Sequence, residues 1–339
     1  MLRLIRKAAL VVTITQLTGG LAIAGGDERL GTAGALELLI PMGARGVAMG
    51  GAVMAQSTGT ESWFWNPACA SSIEGSEVSF SHRQYIADIG LDRVALAYNA
   101  GSIGVLGLSA TVLSTNDELV RTTTQPEGTG ETWAASFVIV GVSYARALTD
   151  RVSLGLNGHY LAETIFNEAA YGVAFDFGFT YKPTWDGVTL GVVVKNYGPT
   201  MKFDGPDFDR PVDPDDDGGA TDRDGRTQSA SFELPSFIQF GVAWDAWRRN
   251  NHALSVSGSF QSNNFSEDEY RIGTEWSVSN QLFLRGGYVA STLDQYMYGF
   301  SAGAGLRLPI GEREARIDYA WADAGVFEGN HLFTLTFGF

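Results

Sequence analysis

The feature that most restricts the fold of this chain is a two-residue alternation of apolar and polar or small side chains, which recurs from about residue 76 onward. Residues 171–181 show it clearly: odd positions hold Tyr, Val or Phe, and even positions hold Gly, Ala, Asp or Thr. Successive side chains of a β-strand point to opposite faces, so this pattern predicts strands with one apolar and one polar face. A helix would need apolar residues three and four positions apart, which these segments lack.

The alternation predicts fourteen strands, and bacterial outer-membrane barrels have an even number of them. Most of the segments are about ten residues long, enough to cross a bilayer as a tilted strand. The predicted strands lie near residues 76–84, 91–99, 103–114, 131–146, 151–163, 170–182, 187–197, 234–245, 251–262, 268–278, 281–290, 296–308, 314–323 and 330–339. Short and longer connections alternate between them, and the longest is residues 198–233. We therefore predict an all-β, up-and-down antiparallel transmembrane barrel with short periplasmic turns and longer external loops.

Composition agrees with this fold and excludes several others. The mean hydropathy is -0.01. A value near zero is expected for strands whose apolar, lipid-facing side and polar side average out. Acidic residues outnumber basic ones by 38 to 23, giving a net charge of -15, which argues against nucleic-acid binding. The single cysteine excludes an intramolecular disulfide framework and any cysteine-based zinc site.

The first 24 residues have the organisation of a secretory signal peptide. Arg3, Arg6 and Lys7 precede an apolar stretch, and residues 22–24 (Ala-Ile-Ala) fit a small-x-small cleavage site. Removing these three basic residues would change the net charge from -15 to -15 - 3 = -18. We expect the mature protein to begin near Gly25 and to reside in the outer membrane of a diderm bacterium.

The last predicted strand ends on an aromatic residue. Phe333, Leu335, Phe337 and Phe339 share one face of this strand. The pattern is similar to the C-terminal signal that the outer-membrane assembly machinery recognises. We therefore expect that machinery, together with outer-membrane lipid, among the partners of the chain.

Residues 25–75 do not alternate and are rich in glycine, which predicts short helical or irregular pieces. No strand–GxGxxG–helix unit is present, so the glycines do not indicate a nucleotide site. A fourteen-stranded barrel encloses more space than the side chains of its wall can fill. We therefore predict that residues 25–75 form a plug inside a barrel of residues 76–339.

Three motifs in and around this plug resemble the N-terminal signature of the PorV/PorQ family, which is similar in fold to the FadL-type channels. They are Gly31-Thr-Ala-Gly34, the run from Leu38 to Ala52 containing Gly-Ala-Arg and Met-Gly-Gly, and Trp63-Phe-Trp-Asn-Pro-Ala68. Further likeness in residues 273–276, 284–288 and 317–321 extends the resemblance over most of the chain. It implies a fourteen-stranded barrel with an N-terminal hatch. The hatch residues that it singles out are Arg45, Gly50, Gly51, Asn66, Pro67 and Ala68.

The same resemblance implies a function in protein export. A family member serves type IX secretion by moving cargo proteins towards a surface attachment complex, so secreted cargo and other secretion components are expected partners. Two alternatives stay open: a FadL-like channel for hydrophobic small molecules such as long-chain fatty acids, and a structural barrel without transport. An apolar pocket in the external half of the barrel would favour the channel. In the hatch, Asn66, Pro67 and Ala68 would serve either as a fixed turn or as part of a gate.

The long loop contains the spacing of a calcium-binding loop. Asp213, Asp215 and Asp217 occupy ligand positions 1, 3 and 5, Gly218 the sixth position, and Asp224 the twelfth, with Asp222 between them. Oxygen ligands at alternate positions can surround one cation, although the twelfth position usually holds Glu and no flanking helices are predicted. The alternative is a solvated acidic loop. Calcium is the only cofactor that the sequence suggests.

No catalytic set is evident, so we expect no enzymatic activity. The four histidines are scattered, and the serines lack a nucleophile elbow or a paired base. Charges of both signs occupy the predicted lumen face, among them Lys195, Glu275, Arg285 and Asp318. We expect these charges to pair with the plug, in preference to lining a substrate path.

Overall fold

The computed structural model describes residues 31–212, 223–292, 296–311 and 313–339. Within these ranges fourteen long strands form the barrel and are numbered here β1 to β14. The bounds are β1 Ser76–Gln84, β2 Gly90–Asn99, β3 Val105–Ser114, β4 Ala135–Ala147, β5 Val152–Ile165, β6 Glu168–Tyr181, β7 Val188–Tyr197, β8 Phe237–Arg249, β9 His252–Asn263, β10 Glu269–Val278, β11 Leu282–Ser291, β12 Phe300–Ile310, β13 Arg313–Ala322 and β14 Asn330–Gly338.

Every strand pairs antiparallel with its neighbours in the sequence, and β14 pairs with β1 from Glu77↔Gly338 to Gln84↔His331. This last pairing closes the sheet, which confirms the predicted fourteen-stranded barrel. Closure removes the free sheet edges, whose unpaired backbone groups could not be solvated within a bilayer.

The outward face of the barrel is apolar because alternate positions of the strands point away from the lumen. In β3 buried and exposed residues alternate throughout, and its outward positions include Leu106, Leu108 and Val112. On β6 the exposed positions are Tyr171, Val173, Phe175, Phe177 and Phe179. A closed barrel with this outer surface is suited to a lipid environment. No helix in the described part of the chain is long and apolar enough to cross a membrane.

Two strand boundaries differ from the prediction in ways that matter for the interior. The strand predicted from residue 296 begins at Phe300, because residues 296–299 turn inward instead of continuing the wall. β8 begins at Phe237, not at residue 234, and Leu234 is buried in an interior apolar cluster. At its other end β8 continues to Arg249, with a register shift between Asp245 and Trp247. Such a bulge adds a residue without ending the strand.

Residues 31–75 lie inside the barrel as a set of short helical turns. The α-helices are α1 (Ala44–Ala48) and α2 (Ser62–Trp65), and 3-10 turns span Leu36–Leu39, Gly59–Glu61 and Pro67–Ser72. We call residues 41–75 the plug base and residues 31–40 the strap. The plug base contacts many strands. Pro67–Ser72 packs against β5 and β6, and α1 packs against β12 and β13.

The wall approaches the plug closely where it carries glycine. At Gly287 of β11 an added Cβ atom would lie 2.2 Å from the Gly50 backbone nitrogen, and at Gly155 of β5 it would lie 2.2 Å from the Pro67 backbone carbon. Side chains at these positions would collide with plug backbone. Part of the glycine excess is thus explained by the close contact between wall and plug.

Candidate functional site

The plug base is joined to the wall by buried ion pairs around Arg45. The Arg45 Nε atom donates to Glu275 Oε2 at 2.9 Å, and Nη2 donates to Glu275 Oε1 at 3.1 Å. The same Glu275 accepts from Arg285 Nε at 2.7 Å. Arg285 also donates to Asp318 at 2.6 Å, and Asp318 forms an ion pair with Arg316 at 3.0 Å. Arg45, one of the predicted hatch residues, therefore connects α1 to β10, and through β11 to β13.

Glu61 closes the other side of this network. Its two carboxylate oxygens accept hydrogen bonds from the backbone nitrogens of Arg45 and Gly46, at 3.3 and 3.2 Å. Burial raises the pKa of Glu61, and the charge of Asp318 raises it further, while Arg316, Arg45 and Arg285 act in the opposite direction. The helix start and the ion pairs thus hold one part of the plug in place.

Asn66, Pro67 and Ala68 form a fixed turn in the structure. Asn66 Nδ2 donates to the Met54 carbonyl at 2.8 Å, and Asn66 Oδ1 accepts from the Ala68 nitrogen at 3.1 Å. Pro67 occupies the first position of the 3-10 turn that follows. All three residues are buried against β5 and β6, where the wall carries Gly155 and Gly178. These contacts fix the conformation of the turn, and the choice between a structural and a gating role stays a prediction.

Gly50 and Gly51 have positive φ angles of 63° and 72° and lie at the boundary between the plug base and an interior cavity. Gly50 packs against the backbone of Gly287 and Tyr288. Gly51 lies beside the Trp65 ring and the Arg271 guanidinium group, where a Cβ atom would be 2.3 Å from Arg271 Nη1. The two glycines therefore allow the chain to turn in a place without room for side chains.

Above the plug base lies a cavity of about 520 Å³. Its lining residues from the wall come from strand ends next to the longer loops, so it occupies the external half of the barrel. Most of the lining is apolar or aromatic. Its apolar members include Leu36, Leu39, Ile40, Val47, Phe64, Trp65, Phe237, Phe265, Val289 and Phe300. This is the apolar pocket that would favour a channel over the alternatives.

A few polar groups interrupt the apolar lining. Arg83 on β1 is 1% exposed; it donates to the Pro41 carbonyl at 2.5 Å, and its guanidinium carbon lies 5.1 Å from the centre of the Tyr85 ring. Lys195 on β7 donates to the Phe64 carbonyl at 2.6 Å and lies 4.1 Å from that ring's centre. Arg271 forms an ion pair with Glu269. A small number of fixed polar groups in an apolar pocket is typical of small-molecule sites.

Two tyrosines meet at the external side of the cavity. The hydroxyls of Tyr85, which follows β1, and Tyr298, which precedes β12, are hydrogen-bonded at 2.8 Å. Burial raises the pKa of Tyr298 well above its ordinary value, and the neighbouring Tyr85 adds to the rise. This hydrogen bond connects two external loops. We call it the tyrosine link.

The remaining predicted site residues lie away from the cavity or outside the described ranges. Phe333, Leu335, Phe337 and Phe339 all point outward from β14 and the residue after it, and their role as an assembly signal stays a prediction. Asp213, Asp215, Asp217 and Asp222 lie outside the described residues, and Asp224 is described only as part of the short strand Arg223–Arg226. Within the described ranges no group of three or more His, Cys, Asp or Glu residues is placed to hold a metal ion.

Sequence reasoning missed the cavity residues Arg83, Tyr85 and Tyr298. Arg83 occupies a lumen position in the alternation of β1, which was a usable signal. No such signal was available for Tyr298, because Tyr298 and Phe300 alternate with small residues as they would in a continuous strand. The predicted pairing between lumen charges and the plug is present in the contact of Glu275 with Arg45.

The geometry defines a class of protein: a plugged, closed outer-membrane barrel with an apolar cavity in its external half. Solved structures similar to this fold include toluene transporters and a FadL homologue. The Pseudomonas putida toluene transporter TodX matches with a TM-score of 0.55 and 13% identity, over 88% of this chain and 98% of its own. The Ralstonia pickettii toluene transporter TbuX matches with a TM-score of 0.51 and 11% identity, over 88% of this chain and 98% of its own. A Pseudomonas aeruginosa FadL homologue matches with a TM-score of 0.51 and 12% identity, over 87% of this chain and 97% of its own.

No protein-family profile matches the chain, and no curated protein matches it in sequence. The structural likeness therefore shows the fold, which is FadL-like, and the protein is an integral barrel of the outer membrane.

Proposed function

We propose that this barrel takes up hydrophobic small molecules across the outer membrane and binds them first in the cavity above the plug base. The observation that carries the proposal is the cavity itself. Its volume of about 520 Å³ falls within the range of about 300–1,000 Å³ that is usual for small-molecule sites. A predominantly apolar lining would bind apolar compounds by removing their surface from water.

The structural neighbours support this proposal over protein export. They are described as channels or transporters for toluene and other monoaromatic hydrocarbons, and one as a FadL homologue. Long-chain fatty acids and monoaromatic hydrocarbons are therefore the first two compound classes to test. Arg83 would favour an anionic head group, since it lies at the cavity and has no carboxylate partner among the described ion pairs.

Export or surface attachment of cargo remains a second candidate, predicted from the resemblance to the PorV/PorQ family. The external loops give it some support. The loop between β7 and β8 carries a two-stranded hairpin, Asp209–Val212 with Arg223–Arg226, and the loop between β3 and β4 carries a second, Glu118–Leu119 with Thr132–Trp133. Such loops would offer a docking surface for proteins. An export role does not require the cavity, so the two functions separate experimentally.

We further propose that the protein acts without catalysis and that its constant partners are outer-membrane lipid and the assembly machinery. Calcium binding by the external loop stays a prediction. Calorimetry on the folded barrel tests it: the absence of heat with millimolar Ca²⁺ would refute it.

The cavity's role is tested by filling it. Val289 on β11 lines the cavity and is 8% exposed, so Val289→Trp would occupy part of the binding volume. We expect binding of a fluorescent fatty acid to weaken at least several-fold. The matched control is Val142→Trp on β4, where valine is 63% exposed on the outer wall and the added ring would meet lipid. Equal binding by both variants would contradict a ligand role for the cavity.

Gene deletion distinguishes uptake from export. Uptake of labelled long-chain fatty acid and of toluene would be measured beside the surface and medium proteomes of the same cells. The proposal expects reduced uptake with unchanged secretion. Reduced secretion with unchanged uptake would overturn it in favour of export.

A further inference from the structure

Three polar side chains lie side by side on the cavity wall, across strands β8, β9 and β10. Gln239 on β8 pairs in register with Gln261 on β9, and Gln261 pairs with Glu269 on β10. All three line the cavity, and each is at most 8% exposed. Because a buried polar atom loses free energy without a hydrogen-bond partner, the bonds that these side chains already make determine which ligand groups they can bind.

The orientation of the Gln261 amide is fixed by a chain of hydrogen bonds. Asn263 Nδ2 donates to the Glu267 carbonyl at 2.7 Å, so the other end of the Asn263 amide is the acceptor Oδ1. Gln261 Nε2 donates to this Oδ1 atom at 2.8 Å. A backbone carbonyl only accepts, so turning either amide around would break a bond of the chain. The free end of the Gln261 amide is therefore its oxygen, Oε1.

Gln261 Oε1 accepts no hydrogen bond from the described residues. The atom is not fully enclosed by protein, and the open space that Gln261 lines is the cavity. On one side Gln239 Nε2 is bonded to Ser259 Oγ at 2.9 Å, and on the other side the Glu269 carboxylate is bonded to Arg271. Neither neighbour donates to Gln261, so its oxygen offers an acceptor to whatever occupies the cavity.

Aromatic rings lie beside this acceptor. Phe237 is on the same face of β8 as Gln239 and pairs in register with Asn263, so it is the diagonal neighbour of Gln261. Side chains in diagonal positions on neighbouring strands are about 7–8 Å apart, within reach of an aromatic ring. Phe265, which follows β9, is 6% exposed and also lines the cavity. A ligand ring packed on these phenylalanines would bring its substituents close to Gln261 Oε1.

We propose that Gln261 Oε1 accepts a hydrogen bond from a hydroxyl group of the ligand, so that the cavity prefers phenols to aromatic hydrocarbons of the same size. This inference rests on the proposed function, because it names the class of ligand that the same cavity binds. A hydrocarbon that displaces water from Oε1 leaves the acceptor unpaired, whereas a phenol replaces the lost bond. A neutral hydrogen bond of this kind changes an affinity by about two- to tenfold.

The pair p-cresol and p-xylene tests this preference, since the two compounds have nearly the same shape and differ by a hydroxyl in place of a methyl group. Calorimetry on the purified barrel would give both dissociation constants, and their ratio would be compared between variants. Gln261→Met keeps the length of the side chain and removes the acceptor. We expect the preference for p-cresol over p-xylene to fall about two- to tenfold from its parent value.

The matched control is Gln84→Met on β1. Gln84 is exposed and is not part of the cavity lining, so the ratio should stay at its parent value. A second test variant is Asn263→Leu, which removes the acceptor that holds Gln261 Nε2 and so releases the amide from its fixed orientation. The preference for p-cresol should fall in this variant too. It keeps the test decisive if Gln261→Met fails to fold, which the gel mobility of the unboiled barrel would reveal.

The possible outcomes separate this inference from the proposed function. If both compounds bind and the ratio is unchanged in either folded test variant, the hydrogen bond to Gln261 is overturned while the cavity remains a binding site for small molecules. If the parent barrel binds neither compound nor a fluorescent fatty acid, the proposed function is refuted and the inference fails with it.

Discussion

The two halves of the barrel lumen are filled in opposite ways. The periplasmic half holds the plug base, bound to the wall by the ion pairs of Arg45 and Glu275 and by close backbone contact at wall glycines. The external half holds an apolar cavity bordered by the strap, the tyrosine link and a few fixed polar groups. The same fourteen strands form both halves, so the difference comes from what the chain places inside them.

This contrast separates a barrier from a binding site. Disturbing the buried ion pairs and glycine contacts would cost much of the free energy that holds the plug on the wall. Such strong attachment suits a barrier that must exclude solutes. The tyrosine link depends on a single pair of hydroxyl groups, which suits a part that opens. If this division is correct, substitutions in the periplasmic half should loosen the plug strongly, and substitutions in the external half should change ligand exchange while leaving the plug in place.

The largest expected effect comes from Glu275→Ala, which removes the carboxylate shared by Arg45 and Arg285. Breaking a buried ion pair by removing one partner costs about 3–5 kcal/mol. We expect the free energy that holds the plug on the wall to fall by this amount. Cys69, the only cysteine of the chain, provides the measurement because it is buried in the plug base and burial raises the pKa of its thiol. Its labelling by a maleimide should be slow in the parent protein and much faster in the variant.

The control is Glu314→Ala, which removes a more exposed carboxylate 3.7 Å from Arg307 Nε. A pair of this kind contributes at most about 1 kcal/mol, so Cys69 labelling should barely change. Similar labelling rates in Glu275→Ala and Glu314→Ala would show that the ion pairs do not hold the plug.

A smaller effect is expected from Gly287→Ala on β11. The added Cβ atom would lie 2.2 Å from the Gly50 nitrogen, so wall and plug must move apart, at a cost of about 1–3 kcal/mol. Denaturant unfolding and Cys69 labelling would both report it. Gly90→Ala on β2 is the control, since nothing lies within 4 Å of the position of its added Cβ. If the two alanine variants were equally stable, the close contact between wall and plug would contribute nothing.

The barrel was predictable because its signal is local. A residue such as Phe175 faces lipid and its neighbour Asp176 faces the lumen, and this two-residue period is visible in the sequence whatever the partner strands are. The register follows from sequential antiparallel pairing through short turns. The ends of β8 and β12 were harder to predict, because Leu234 and Tyr298 leave the wall to make interior contacts that no local pattern records.

The cavity could not be predicted, since it depends on contacts between distant segments. Arg45 and Glu275 are separated by 230 residues, and Tyr85 and Tyr298 by 213. Family resemblance singled out plug residues as a group but gave no information on the space on their external side.

The smallest expected effect concerns the tyrosine link. Tyr298→Phe keeps the ring at the cavity and removes the hydroxyl bonded to Tyr85, a change of about 0.5–1.5 kcal/mol. We expect ligand to dissociate about two- to tenfold faster, with Cys69 labelling unchanged. Because the raised pKa of Tyr298 keeps it protonated between pH 5 and 9, the acceleration should be the same throughout this range. Tyr270→Phe, on the outer face of β10, should leave dissociation unchanged. Dissociation from Tyr298→Phe at the parent rate would show that the tyrosine link does not restrict ligand exchange in the external half.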